Sequence, residues 1–179
     1  MVVYTLSIPD RHKSAQTDAL IINCFEKYIS ETQREKICTP CVKRTPDGKP
    51  YLTGFPDVSV SVTHTENRIF IAFDQNNFGI DAEKSTRKID RKESIAKKYF
   101  SLKENEFIFE NPTKSNARFL EIWVKKEALV KYNGTGLREL SKADTFKSRL
   151  CFTKIDYADF TVFICSESAP KDIKIYNLD

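Results

Sequence analysis

Apolar positions change their spacing along this chain, and each spacing predicts a different element. Val2 to Ile8 is a short apolar run that reads as a first strand. Ser14 offers a helix cap, and Ala19, Ile22, Phe25 and Ile29 follow at helical spacing. Residues 31–50 are charged, interrupted by prolines, and carry the turn Pro46-Asp47-Gly48, so a loop or irregular segment is expected there. VSVSVTH (58–64) alternates, with Val58, Val60 and Val62 on one face and Ser59, Ser61 and Thr63 on the other. RIFIAF (68–73) is apolar on both faces and predicts a central strand, joined to its predecessor by a hairpin turn at Thr65-Glu66-Asn67.

Asp74-Gln75-Asn76-Asn77 is a polar break, and the boundary between an N-terminal subdomain (1–76) and a C-terminal one (77–179) is placed there. Beyond it come a strand at 78–83 and helices at 91–99, 102–110 and 115–132. The second of these starts at a capping box, Ser101-x-x-Glu104, and the third ends at Asn133-Gly134. Strands are expected at 145–154, 159–165 and 173–178. Strand–helix–strand–strand thus appears twice. The expected fold is α+β: two similar α/β subdomains forming a pseudo-dimer, each a small, mainly antiparallel sheet packed with helices.

Composition narrows the functional classes. The 179 residues are 40% hydrophobic and 30% charged, enough to bury a core. No apolar run approaches the ~18 residues of a membrane span, and MVVYTLSIPDRHK lacks the features of a signal peptide. The net charge of +4 is mild, and there is no arginine-rich arm, so neither nucleic acid nor a membrane is an expected partner. Five cysteines, an odd number, suit a reducing cytoplasm. Cys38 and Cys41 form a lone CxxC; zinc would need two further ligands, and the only histidines are His12 and His64, so a structural or incidental role is favoured.

Chemistry concentrates in two stretches. In FGIDAEK (78–84), Asp81 and Glu83 share one strand face while Ile80 and Ala82 take the other. A solvated edge strand would explain such a pair by itself. On the longest helix, however, Phe119 and Trp123 begin a stripe that continues by fours through Glu127 and Lys131. An exposed i, i+4 ion pair accounts for the spacing but not for its place behind a tryptophan. If that helix packs across the strand, Asp81, Glu83 and Glu127 converge, and three carboxylates in one cleft need a cation. An all-oxygen site suits magnesium, with manganese as an alternative. Lys131 then lies where phosphate oxygens would be, and His64 ends a neighbouring strand, as a hydrogen-bonded strand end, a phosphate contact or a proton donor.

These residues resemble the signatures of the 4′-phosphopantetheinyl transferases. GIDAEK followed by WVKKEALVK is similar to G-[I/V]-D-x-E and W-x-x-K-E-[A/S]-h-x-K, where h is apolar. GKPYLTGFPDVSVSVTHT is similar to that family's upstream blocks, and GTGL to its downstream loop. The blocks span roughly residues 48–137, and the two-half pattern resembles the larger, monomeric type, typified by the surfactin-synthetase activator. The resemblance implies transfer of the phosphopantetheine arm from coenzyme A to a serine of an apo acyl or peptidyl carrier protein, with release of adenosine 3′,5′-bisphosphate, at a site between the halves. It implies Asp81, Glu83 and Glu127 as magnesium ligands and Glu127 and Lys131 as catalytic groups. It further implies Thr63, His64, Gly48, Lys49 and Pro50 as coenzyme A contacts. Threonines flank His64 where the family commonly has serines, and Ala82 stands where a larger apolar residue is usual. Arg11 and Lys13 are the candidates to hold the adenosine 3′-phosphate. The alternatives are a non-catalytic nucleotide- or carrier-binding module on the same fold, and a basic partner-binding protein with three decorative acids.

Overall fold

The computed structural model describes residues 1–9, 14–34 and 38–179. Its elements run β1 (Val2–Ser7), α1 (Ser14–Glu31), β2 (Cys41–Arg44), β3 (Pro50–Thr53), β4 (Ser59–Thr65), β5 (Arg68–Asp74) and β6 (Phe78–Lys84). Then come α2 (Lys92–Tyr99), α3 (Leu102–Phe109), α4 (Ser115–Asn133), β7 (Cys151–Tyr157), β8 (Phe160–Ser166) and β9 (Lys174–Asn177). The fold is mixed α+β with small sheets, as the alternation of patterns implied. One sheet has the order β4-β5-β1-β9, another β6-β8-β7, and β2-β3 form a separate ribbon. All pairings are antiparallel except β1 with β9, the chain's last strand, which crosses back to the first sheet.

β5 lies between β4 and β1 and is buried on both faces, which is why its sequence is continuously apolar. Ile69, Ile71 and Phe73 pack with α1, while Phe70 and Ala72 pack on the other side with Ile80, Ala82, Val162 and Ile164 of the second sheet. The four-stranded sheet is therefore sandwiched between α1 and the three-stranded sheet.

Three local readings are corrected. The buried stripe of α1 is Ile21, Cys24, Phe25, Tyr28 and Ile29; Ala19 is exposed and Ile22 only half-buried. The helix rotates so that its largest side chains, Phe25 and Tyr28, reach Phe55 and Phe73. The expected loop at 31–50 contains β2 (Cys41–Arg44), the mostly exposed strand of a two-stranded ribbon, whose CVKR shows no buried alternation. β7 begins only at Cys151, because residues 144–148 are a turn in which Asp144 Oδ1 accepts from the backbone N–H of Phe146 and Lys147.

Two features set α4 against the second sheet. Gly79 needs its missing side chain: a Cβ there would meet the Ala128 carbonyl oxygen at 2.1 Å and the Tyr132 nitrogen at 2.4 Å. That close approach lets the backbone of α4 lie against β6. On the far side, Lys126 and Glu104 are a fully buried ion pair at 2.9 Å. Glu104 also closes the α3 capping box with Ser101 and accepts from the N–H and Oγ1 of Thr145, each at 2.8 Å. Lys126 further donates to the Ala143 carbonyl and lies over the Phe100 ring. Gly134, at φ 67°, caps α4 in the left-handed conformation that glycine takes without strain.

Candidate active site at the seam of two sheets

A cavity of about 520 Å³ opens where β4, β6, the β2–β3 ribbon and the C-terminal half of α4 meet. Alternation along β6 sends Ile80 and Ala82 into the core, so Gly79, Asp81 and Glu83 share the opposite face, the one α4 approaches. Asp81 and Glu83 are nonetheless buried, not solvated. The cause is β4, whose hydroxyl face runs alongside them. Ser61 Oγ accepts from the Ile80 N–H at 3.1 Å, Thr63 Oγ1 donates to Asp81 Oδ1 at 2.8 Å, and Thr65 Oγ1 donates to Glu83 Oε2 at 2.8 Å. The hydroxyl face of β4 is thus a ladder that fastens β6 and its two acids to the other sheet's edge.

The stripe on α4 continues as its spacing required. Phe119 and Trp123 stack with ring centroids 6.2 Å apart, and Glu127 and Lys131 follow into the cavity. Lys131 Nζ donates to Asp81 Oδ1 at 2.6 Å. Asp81 Oδ2 is buried without a hydrogen-bond partner among the described residues, an uncompensated acceptor in a cluster of acids. Glu83 Oε1 is taken by the guanidinium of Arg87. Burial first, and then the Asp81 carboxylate, push the Glu127 carboxyl up from 4.5 to about 7, against the pull of Lys131.

That shift has a measurable consequence. Between pH 4.5 and 7 the folded protein keeps a proton on Glu127 that the unfolded chain has released. Its contribution to stability is complete below about pH 4.5 and is lost as pH rises through 7. With no divalent ion added, the stability difference between the wild type and Glu127→Gln should fall across that window. The fall should be on the order of 3 kcal/mol, at about 1.36 kcal/mol per pH unit. Urea titrations at a series of pH values measure it; a pH-independent difference would take the proton off Glu127.

The other expected contacts divide. Thr63, His64, Gly48, Lys49 and Pro50 all line the cavity. His64 is exposed at the end of β4. The Lys49 ammonium donates to Asn77 Oδ1 at 2.6 Å and to the Tyr132 carbonyl at 3.1 Å, tying the β2–β3 ribbon to the end of α4; burial lowers its pKa. Arg11 and Lys13 lie outside the described residues. Ser61, Thr65, Asn77 and the Arg138–Asp47 ion pair at the cavity rim join the site only through the fold. Only the alternating hydroxyls carried a signal for the first two.

Among the described residues no group of three or more His, Cys, Asp or Glu side chains already stands as a metal cage. The donors present fit a hard cation all the same: three carboxylates, one with a buried oxygen without a hydrogen-bond partner among the described residues and another whose pKa is raised by burial and by the Asp81 carboxylate. Lys131 and Arg87 supply the positive charge here.

Comparison with known proteins agrees with this chemistry. A family model described as the 4′-phosphopantetheinyl transferase superfamily matches residues 77–176. The chain is 29% identical over 133 residues to the 4′-phosphopantetheinyl transferase Sfp of Bacillus subtilis (strain 168), covering 74% of this chain and 55% of that protein. It is 34% identical over 105 residues to a Bacillus subtilis 4′-phosphopantetheinyl transferase, covering 58% and 44%. It is 28% identical over 171 residues to 4′-phosphopantetheinyl transferase ffp of the same species, covering 95% and 70%. The match thus spans about half the length of the first two relatives.

Proposed function

Because this chain belongs to the 4′-phosphopantetheinyl transferase superfamily, of the Sfp type, we propose that it moves the phosphopantetheine arm of coenzyme A onto a serine of an apo acyl or peptidyl carrier protein. Adenosine 3′,5′-bisphosphate would be the product released. The observation that carries this reading is the meeting of Asp81 and Glu83 from β6 with Glu127 and Lys131 from α4 in one cavity. We take residues 1–76 and 77–179 as the two halves, with β9 crossing back from the second to the sheet of the first and transfer at their seam. We also take the protein to act as a cytoplasmic monomer; no helix among the described residues is long and apolar enough to cross a membrane.

Asp81, Glu83 and Glu127 would hold magnesium, or manganese in its stead, which supplies Lewis-acid polarisation and charge neutralisation for a diphosphate. The remaining work falls to the chain. Glu127, which lines the cavity beside Asp81 and Lys131, accepts the proton of the incoming serine hydroxyl on its carboxylate. Lys131 Nζ, already an ion-pair donor in the cavity, steadies the diphosphate and protonates the departing phosphate oxygen. His64 and Lys49 add donors and positive charge at the cavity wall, and Gly48 and Pro50 form the loop along which the cofactor lies. Thr63 does not need to touch the cofactor: its hydroxyl is committed to Asp81 and orients that carboxylate.

The test is to incubate the protein with coenzyme A, magnesium and a panel of apo acyl and peptidyl carriers, and to weigh each carrier. Gain of the phosphopantetheine mass, abolished by a chelator, is the expected result. A correctly folded protein that modifies none of them would favour the second reading, a nucleotide- or carrier-binding module. One observation supports that reading: Asp81 and Glu83 already pair with Lys131 and Arg87.

A further inference from the structure

Glu83 is fastened at both of its oxygens, by two groups of very different freedom. Thr65, which holds Oε2, is a buried residue of β4 and moves only with its strand. Arg87, which holds Oε1, lies just past the end of β6, and its side chain is 49% exposed against 11% for Glu83. Its backbone is anchored: the N–H bonds the Lys84 carbonyl at 2.9 Å, and the carbonyl accepts from Asn116 Nδ2 at 3.0 Å. The side chain is therefore the part that can swing. It has somewhere to go, since Arg87 also lines a second cavity of about 350 Å³, with Asp90 as an alternative acid and Phe119 and Trp123 among its walls.

We infer that Arg87 is an internal competitor for the divalent cation: its guanidinium neutralises Glu83 until the cation takes that carboxylate, and then withdraws toward the cavity of Asp90. The inference rests on the cation site proposed for Asp81, Glu83 and Glu127. Its physical basis is repulsion. The guanidinium on Glu83 Oε1 neutralises the charge that would draw a divalent ion to that carboxylate, and two positive groups a few ångströms apart repel. Cation binding at this site is then an exchange, and its apparent affinity is lowered by the population in which Arg87 holds Glu83. Arg87 acts through Glu83 and touches no reacting atom, so it is a positioning residue.

The test needs neither coenzyme A nor a carrier. Mn²⁺ is titrated into the folded full chain, with free Mn²⁺ read by electron paramagnetic resonance and the heat by calorimetry. The variants are Arg87→Gln, Arg87→Ala, Arg87→Lys, Lys88→Gln and Glu83→Gln, each checked by thermal melting. Arg87→Gln and Arg87→Ala should bind Mn²⁺ about tenfold more tightly than wild type, the size of a repulsion removed at short range. Arg87→Lys should stay near wild type, because charge and not shape is responsible. Lys88→Gln, which loses the same charge one residue away, should change affinity little, and Glu83→Gln should weaken binding. Unchanged or weaker binding in both neutral Arg87 variants, with Glu83→Gln still weakened, overturns the competition and leaves the cation site standing. Equal tightening by Lys88→Gln overturns it too, since a diffuse field would then suffice. Absence of Mn²⁺ binding in every variant overturns the site and the competition together.

Discussion

Asp81→Asn is expected to lower phosphopantetheine transfer by about 100-fold or more, the usual cost of removing a preorganised charged group from such a site. Asparagine keeps the size of the side chain and an oxygen for Thr63, which donates to Asp81 at 2.8 Å. It removes the charge that pairs with Lys131 at 2.6 Å, and it exchanges a buried carboxylate oxygen without a partner for an amide. The loss should therefore fall on turnover, with the melting temperature close to that of the wild type. Initial rates from carrier mass, alongside thermal melts, separate the two. Because Asp81, Glu127 and Lys131 form one cluster, the double variant Asp81→Asn/Lys131→Ala should lose little more than the worse single one. A folded Asp81→Asn protein within about threefold of the wild-type rate, short of the loss such a group brings, would remove this carboxylate from the reaction.

The second large effect is on stability. Lys126→Met is expected to destabilise the fold by about 3–5 kcal/mol, because it leaves Glu104 buried and charged with its cationic partner gone. Both side chains are inaccessible to solvent, and the pair joins α3, α4 and the 143–145 turn through bonds to Ser101, Ala143 and Thr145. The double variant Lys126→Met/Glu104→Gln should recover much of the loss, since no unpaired charge then remains inside. Urea denaturation of the wild type, both single variants and the double variant closes this cycle. Additive losses would mean that the two side chains do not act as a pair.

These two residues also mark how far the sequence could be read. Asp81 was legible: alternation along β6 and the four-residue stripe on α4 are local patterns, and each predicted its face correctly. Lys126 was not. Lys125 and Lys126 are neighbours of the same type, yet Lys125 pairs with Glu121 and lies over the Phe163 ring, half-buried, while Lys126 is sealed in the core. The sequence marks Glu104 as the closing residue of a capping box, which it is, but nothing local assigns it a lysine 22 residues away. The family resemblance implies a cofactor contact for Lys49, while its ties to Asn77 and the Tyr132 carbonyl depend on where the end of α4 comes to rest.

Periodicity by itself determined which residues share a face: Asp81 with Glu83, Ser61 with Thr63, Phe119 with Trp123, Glu127 and Lys131. It did so because the spacing of a strand or a helix is a property of the local backbone. Only the tertiary structure decided which faces meet. The hydroxyls of β4 became clamps on the acids of β6, Gly79 became the opening through which α4 approaches, and Arg87 became the partner of Glu83. Those pairings join segments far apart in the chain or turn on rotamers at its surface, and packing, not periodicity, selects them.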